Sequence, residues 1–325
     1  MSITTNGLRV IFGGAAFNSA YGSTPESVSE TLQFLLREGT RNIDSGQAYG
    51  YSENLLGQDK VSYTGFEVDT KVAGGLWPHV RHTKETVIQA GEPSIKALGA
   101  DQLDVYYIHA PDQTVTLKDS LDGINELHKM GKFKRFGLSN FRLDEVLEVI
   151  RIAKRMPLSC LGNYNAIGRV AEKELFPVLR EHNISFYAYS PIAGGFLTKT
   201  KKDITDGKGR FNKDLPFFGE MYNTLYNTPA KLEFLMEFGN IAISEGISQA
   251  ELAYRWVTYH SCLKAQNGDG IIIGSRYGTQ LTNTLAWLKK GPLSVETALK
   301  VNDLSKIIER EGILDNWNDF ISKQL

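Results

Sequence analysis

Four residue types that together can hold and move a proton stand at the ends of three short strand signals. Asp44 and Tyr49 fall in Asp44-Ser45-Gly46-Gln47-Ala48-Tyr49, directly after Arg41-Asn42-Ile43. Lys71 follows Phe66-Glu67-Val68, and His109 closes the run that begins at Leu103-Asp104-Val105. Amphipathic helical patterns separate the three. In a parallel sheet built from strand–helix units, consecutive strands sit side by side, ~4.8 Å apart and pointing the same way. A carboxylate, a phenol, an ammonium and an imidazole then arrive at one rim. Singly, each has an ordinary reading: a helix cap, a packed loop aromatic, a solvated strand end, a satisfied histidine. Together they read as a proton-transfer site.

The elements that must position these groups alternate along the whole chain. A first strand, Arg9–Phe12, is closed by Gly13-Gly14. A helix opens at Ser23-Thr24-Pro25-Glu26, with a capping hydroxyl and a first-turn proline, and stops at Gly39. Further helices are expected over Ser52–Gly57, Lys84–Leu98, Leu117–Lys129, Arg142–Arg155 and Glu172–His182, with strands over Phe133–Leu138, Ser159–Gly162 and Ile184–Tyr189. From Gly194 to Pro229 the rhythm breaks into a long, irregular stretch rich in Gly, Asp and aromatics. It resumes with helices over Lys231–Glu245 and Gln249–His260, an apolar strand Gly270–Gly274, and helices over Thr279–Leu288 and Ser294–Arg310. Eight strands followed by helices are best satisfied by a closed (β/α)8 TIM barrel with long C-terminal rim loops and a C-terminal helix, read as one domain over residues 1–325. A doubly wound open sheet is the alternative; the sequence has no Gly-x-Gly-x-x-Gly after a strand and no Gly-x-x-x-x-Gly-Lys.

Composition narrows the partners. With 42% apolar residues the chain can fill a large core, and a net charge of −1 without a dense basic stretch gives no reason to expect nucleic acid or an anionic membrane. Two cysteines, Cys160 and Cys262, make no disulfide framework. The polar N-terminus and the lack of a long apolar run point to a cytoplasmic protein. His79, His82, His128, His182 and His260 show no ligand spacing with cysteines or acids, so no metal is expected. A homodimer is admitted but nothing in the sequence requires it.

The motifs resemble those of the aldo-keto reductase family from Gly13 to about Leu288. Asp44, Tyr49, Gly50, Ser52 and Glu53 match its Asp-x-x-x-x-Tyr-Gly element with the following Ser-Glu. Gly137-Leu138-Ser139-Asn140 matches its Gly-x-Ser-Asn, and Ala188-Tyr189-Ser190-Pro191-Ile192-Ala193-Gly194-Gly195 its Tyr-Ser-Pro segment. Ile273-Gly274-Ser275-Arg276 is similar to its adenosine-end loop. Within the family the likeness is to aflatoxin-aldehyde reductases, through His109-Ala110-Pro111-Asp112, Leu175-Phe176-Pro177, Gly209-Arg210-Phe211 and Glu220-Met221-Tyr222.

The resemblance implies an NADPH-dependent reductase of aldehydes or ketones, with NADPH/NADP+ favoured over NADH and a small carbonyl compound as substrate. Tyr49 would be the general acid, Lys71 and Asp44 the pair that tunes it, and His109 the group that orients the carbonyl. A nearby ammonium is expected to lower the Tyr49 pKa. Ser139, Asn140, Tyr189, Ser190, Gly194, Gly195, Arg210, Gly274, Ser275, Arg276, Gln280 and Asn283 would hold the cofactor. Two departures stand out: Leu161 replaces the family's Gln on strand six, and Thr284 its Asn in the eighth helix. Asn163, one step further along the same strand face, is expected to take over the missing Gln's contact. Phe17, Tyr21, Trp77 and Tyr222 are candidates for an aromatic substrate pocket. Absence of basic residues after Tyr222, Arg210 apart, suggests neutral substrates. The rivals are an alcohol or sugar dehydrogenase working oxidatively, and a cofactor-binding sensor or channel-associated subunit. The start of the first strand at residue 9 leaves little room for the interaction segment that a sensor would carry.

Overall fold

The computed structural model describes residues 3–18, 22–58, 65–75, 80–153, 156–275 and 278–323. Eight parallel strands close into a barrel in the order β1 to β8: Arg9–Gly13, Asn42–Asp44, Glu67–Val72, Leu103–Ile108, Phe133–Ser139, Leu158–Asn163, Ser185–Tyr189 and Gly270–Ile273. All eight expected strands form, and β8 returns to pair with β1. The strands are buried on both faces, as a parallel sheet wrapped by helices requires. One apolar layer lies between strands and helices. A smaller cluster of Ile11, Val105, Tyr107, Leu161, Tyr187 and Ile272 fills the barrel itself. Gly137 is needed there: a Cβ would stand 2.0 Å from the Tyr107 ring.

Helix ends follow local chemistry. α1 (Pro25–Glu38) is capped by Thr24 and Ser27, which bond each other's backbone, and stops at Gly39 with φ 89°. α2 spans Ser52–Gln58, α3 Lys84–Leu98 with Thr83 as its cap, and α4 Leu117–Lys129. α5 is Leu143–Ile152. The expected helix over 172–182 divides into α6 (Ala171–Glu174) and α7 (Phe176–Glu181), because Pro177 has no N–H to carry the ladder through the junction.

The stretch from 194 to 229 is more ordered than its composition suggests. It holds a 3-10 segment Ala193–Thr198, a capped helix α8 (Lys201–Thr205), a turn Gly209–Phe211 and α9 (Phe218–Tyr226). α10 (Pro229–Ser244), α11 (Gln249–Tyr259) and α12 (Thr279–Lys289) follow. The expected helix 294–310 breaks at Leu304 into α13 (Val295–Asp303) and a 3-10 segment Leu304–Glu311. A further short helix, α14 (Asn316–Ile321), was not expected; Asp315 caps it.

The seam between β7 and β8 has two residue pairs in register, Tyr187–Gly270 and Ala188–Ile271. The buried Asp269 carboxylate reinforces it, accepting from Phe186 N (2.9 Å), Lys264 N (2.8 Å) and both Nη atoms of Arg180 (3.0 and 2.7 Å).

Candidate active site

The ends of β2, β3 and β4 bring the four residues together. Lys71 is fully buried on β3, and its Nζ donates to Asp44 Oδ1 (2.6 Å), Asp44 Oδ2 (2.7 Å) and the Ser45 carbonyl (2.6 Å). That satisfies all three ammonium protons. The same Nζ lies 4.7 Å from the centroid of the Tyr49 ring and 5.6 Å from that of Tyr107. His109 meets Tyr49 edge-on, with ring centroids 5.5 Å apart and planes at 85°.

Gln47 braces this corner by bonding Ala90 O and Ser94 Oγ through Nε2 while its Oε1 accepts from Ala73 N. Buried Glu53 accepts from Thr70 Oγ1 (2.5 Å) and Ser94 Oγ (3.1 Å). Both supports are missed by a reading of charges at strand ends, though Glu53 belongs to the quoted motif.

The protonation states follow from burial. Desolvation works against the Lys71 ammonium, but Asp44 and then Tyr49 outweigh it and hold the lysine charged. Desolvation pushes Tyr49 upward; Lys71 and Arg210 pull it down, and Asp44 adds to the rise. The phenol therefore lies above its ordinary range, contrary to the expected lowering: burial wins in the resting site. His109 is driven well below the usual histidine range by burial, then by Lys71, then by His82, and is a neutral imidazole.

The other half of the rim, at the ends of β5 to β8, is built differently. Ser139 and Asn140 close β5, and Asn140 Nδ2 donates to His109 O (2.9 Å), tying the two halves together. Tyr189, on the last position of β7 opposite Asn163, donates its phenol to Asn140 Oδ1 (2.9 Å). Asn140, Ser190 and Ala193 have φ of 57°, 54° and 50°, a left-handed conformation uncommon outside glycine and often kept at functional sites. Gly194 and Gly195 continue the turn at φ 63° and 101°, and a Cβ on Gly194 would stand 2.1 Å from the Tyr222 hydroxyl.

Asn163 is fully buried; its Oδ1 accepts from Asn165 Nδ2 (3.1 Å), while its Nδ2 has no hydrogen bond of ordinary geometry. Ser275 Oγ, at the end of β8 beside Gly274, is likewise buried and unpartnered, as is His109 Nδ1. Asn165, which sequence reasoning passed over, also bonds Ser190 O (2.9 Å). Leu161 points into the barrel cluster. Asn318 of α14 donates to Asn140 O (2.9 Å), so the tail straps this arc.

The remaining candidates scatter. Gln280 and Asn283 are exposed on α12. Tyr222 is buried and stacked on Tyr226, and Arg210 Nη1 donates to its hydroxyl (2.6 Å). Arg210 thus stands beside the Gly194 turn that follows β7, and its charge is also felt at Tyr49. Phe17 is buried against Phe12, with ring centroids 5.1 Å apart. Tyr21, Trp77 and Arg276 lie outside the described residues. Among the described residues no group of three His, Cys, Asp or Glu could hold a metal, and no helix is long and apolar enough to cross a membrane.

Residues 9–306 match the model of the aldo/keto reductase family. The chain is 37% identical over 317 residues to the oxidoreductase sirO of Leptosphaeria maculans, covering 93% of this chain and 95% of that protein. It is 34% identical over 288 residues to human aflatoxin B1 aldehyde reductase member 4, covering 83% and 85%. Against human aflatoxin B1 aldehyde reductase member 2 it is 33% identical over 306 residues, covering 88% and 84%. With barrel, rim residues and motifs in agreement along nearly its whole length, the chain belongs to the aldo/keto reductase family, among relatives that include the aflatoxin-aldehyde reductases.

Proposed function

We propose that this oxidoreductase reduces an aldehyde or ketone to the alcohol, with NADPH as donor and Tyr49 as the source of the proton. The observation that carries the reading is the buried Lys71–Asp44 pair beneath the Tyr49 ring, with His109 edge-on to it. When bound, a reduced nicotinamide supplies hydride to the carbonyl carbon. The protein's part is the oxygen. The neutral His109 imidazole donates a hydrogen bond that orients it, and the Tyr49 phenol, kept protonated by burial, delivers the proton. Lys71 stabilises the phenolate that forms, and Asp44 keeps that ammonium fixed, so little reorganisation is needed at the moment of transfer.

The residues of the second arc fit a dinucleotide. Ser275 Oγ and Asn163 Nδ2 are buried with no hydrogen bond of ordinary geometry among the described residues, and can turn to a bound ligand. The left-handed turn around Ser190 to Gly195 gives close backbone approach suited to a pyrophosphate. Tyr189 would stack on the nicotinamide, with Ser139, Asn140 and Asn163 on its carboxamide. Ser275 with Arg276 would favour the 2′-phosphate, so Arg276→Ala should weaken NADPH and spare NADH. A panel of aldehydes and ketones, followed by loss of reduced-nicotinamide absorbance, tests the reading. Turnover of several carbonyls supports it; cofactor binding without turnover of any would move the chain to the sensor class.

A further inference from the structure

Tyr49 and Lys71 stand on different elements, and the proposed proton transfer depends on their separation. Lys71 is fixed within β3 and by its bonds to Asp44 and Ser45. Tyr49 ends a three-residue 3-10 turn, Gln47–Tyr49, which is closed by Tyr49 N donating to Gly46 O (2.9 Å). The chain leaves that turn through Gly50 at φ 65°, and Asn18 Nδ2 reaches the Tyr49 carbonyl at 3.3 Å. A single 3-10 turn has few bonds of its own and does not fix its height over a neighbouring strand. Something outside it must.

The Gln47 amide is placed to do it. Its Nε2 donates to Ala90 O (2.7 Å) and Ser94 Oγ (2.8 Å) on α3, and its Oε1 accepts from Ala73 N (2.7 Å), two residues beyond Lys71. Both protons and the oxygen of the amide are engaged. From Ser94 the chain of bonds continues. Its Oγ donates to Glu53 Oε2 on α2 (3.1 Å), and Glu53 Oε1 accepts from Thr70 Oγ1 (2.5 Å), the residue before Lys71. Ser94 and Glu53 are buried, where such a network is stiff. The Tyr49 turn is thus tied to β3 on both sides of Lys71, directly at Ala73 and through Ser94 and Glu53 at Thr70. α3 has an apolar face of Val87, Ile95 and Leu98 for its own packing.

We infer that Gln47 is a positioning residue, which sets the place of Tyr49 over Lys71 by tying the turn to β3 on either side of that lysine. This placement matters to turnover if Tyr49 is the acid, as proposed above. Gln47 acts through Tyr49 and takes no part in the chemistry itself. Ser94 and Glu53 extend its reach, so each should contribute less than the amide that holds the turn directly.

Gln47→Met keeps the length of the side chain and removes all three bonds. A misplacement of about 1 Å can cost ~10²-fold, so the single-turnover rate on the panel aldehyde turned over fastest should fall roughly 10–100-fold. NADPH affinity should stay as in the wild type, and slower proton delivery should raise the solvent deuterium isotope effect. A second readout needs no turnover. With tyrosine labelled with ¹³C at Cζ, the Tyr49 signal is identified by its loss in Tyr49→Phe. That ring lies edge-on to His109, with centroids 5.5 Å apart, so its signal should move in Gln47→Met. Ser94→Ala cuts only the indirect tie and should move it less; it carries the test if Gln47→Met does not fold. An unmoved Tyr49 signal in every variant that folds overturns the inference. So does a rate that falls together with NADPH affinity at an unchanged isotope effect, the mark of a merely structural role. If the wild type reduces no carbonyl yet the signal moves, the acid role of Tyr49 fails and the placement by Gln47 stands.

Discussion

The two halves of the rim are prepared in opposite ways. At the ends of β2 to β4, the charged pair is satisfied within itself and His109 Nδ1 alone is left open: every Lys71 proton has an acceptor, and both Asp44 oxygens serve it. At the ends of β5 to β8, the backbone is held in left-handed turns and two buried side-chain atoms, Asn163 Nδ2 and Ser275 Oγ, lack full partners. An unsatisfied buried polar atom costs about 1–3 kcal/mol. The Lys71–Asp44 pair is thus finished in the free protein, while on the proposed reading the second arc recovers its deficit when the cofactor binds. A catalytic group must be set before substrate arrives; a cofactor cradle gains affinity by not being.

The sharpest way to break this contrast is at the acid. Tyr49→Phe should cut turnover by roughly 10²–10⁴-fold and leave NADPH affinity unchanged in a fluorescence titration. A loss below about tenfold would take Tyr49 out of the role. Next in size is Lys71→Met, which strands the buried Asp44 carboxylate. It should destabilise the fold by about 3–5 kcal/mol, read from urea unfolding, besides impairing turnover.

The second arc should respond in the reverse sense. Ser275→Ala removes an atom with nothing to lose in the free protein, so stability should hold or rise slightly. NADPH should nevertheless bind about 2–10-fold more weakly, the worth of one net hydrogen bond. Asn163→Ala should weaken the cofactor more. If Ser275→Ala unfolds the free protein as readily as it weakens binding, the arc is structural and the comparison fails.

The smallest expected effect is a flat line. Because burial keeps His109 neutral, kcat should not change as pH crosses about 6.5, where an ordinary histidine protonates. Stability behaves otherwise. The unfolded chain binds a proton at His109 below that pH and the folded one does not, so stability should fall as pH drops from about 6.5. A kcat step centred there would mean that His109 titrates in the working enzyme.

The tetrad was legible because each member follows a run of apolar residues and the strand count implied one rim. Direction of the Tyr49 shift was not: burial is a property of the whole enclosure, and the sequence shows only which charges could be near. The C-terminal strap was invisible too. α14 has six residues, too few for a periodic signal, and its meaning rests on Asn318 meeting Asn140, 178 positions away. Arg210 was visible as a residue, but only its contact with Tyr222 beside Gly194 shows where its guanidinium goes.

The Asp269 carboxylate bears on how the barrel comes into being. β8 can reach β1 only after most of the chain has been made, and pairing at such separation is entropically slow. A seam with two registered pairs and one buried carboxylate holding Arg180 is expected to engage after the rate-limiting step, as a clasp. Asp269→Asn should then hasten unfolding while hardly slowing refolding in stopped-flow traces. A proportionate fall in the refolding rate would instead make closure of the ring the nucleus. Resistance to slow unravelling would reside in this one acid, far from any chemistry the protein performs.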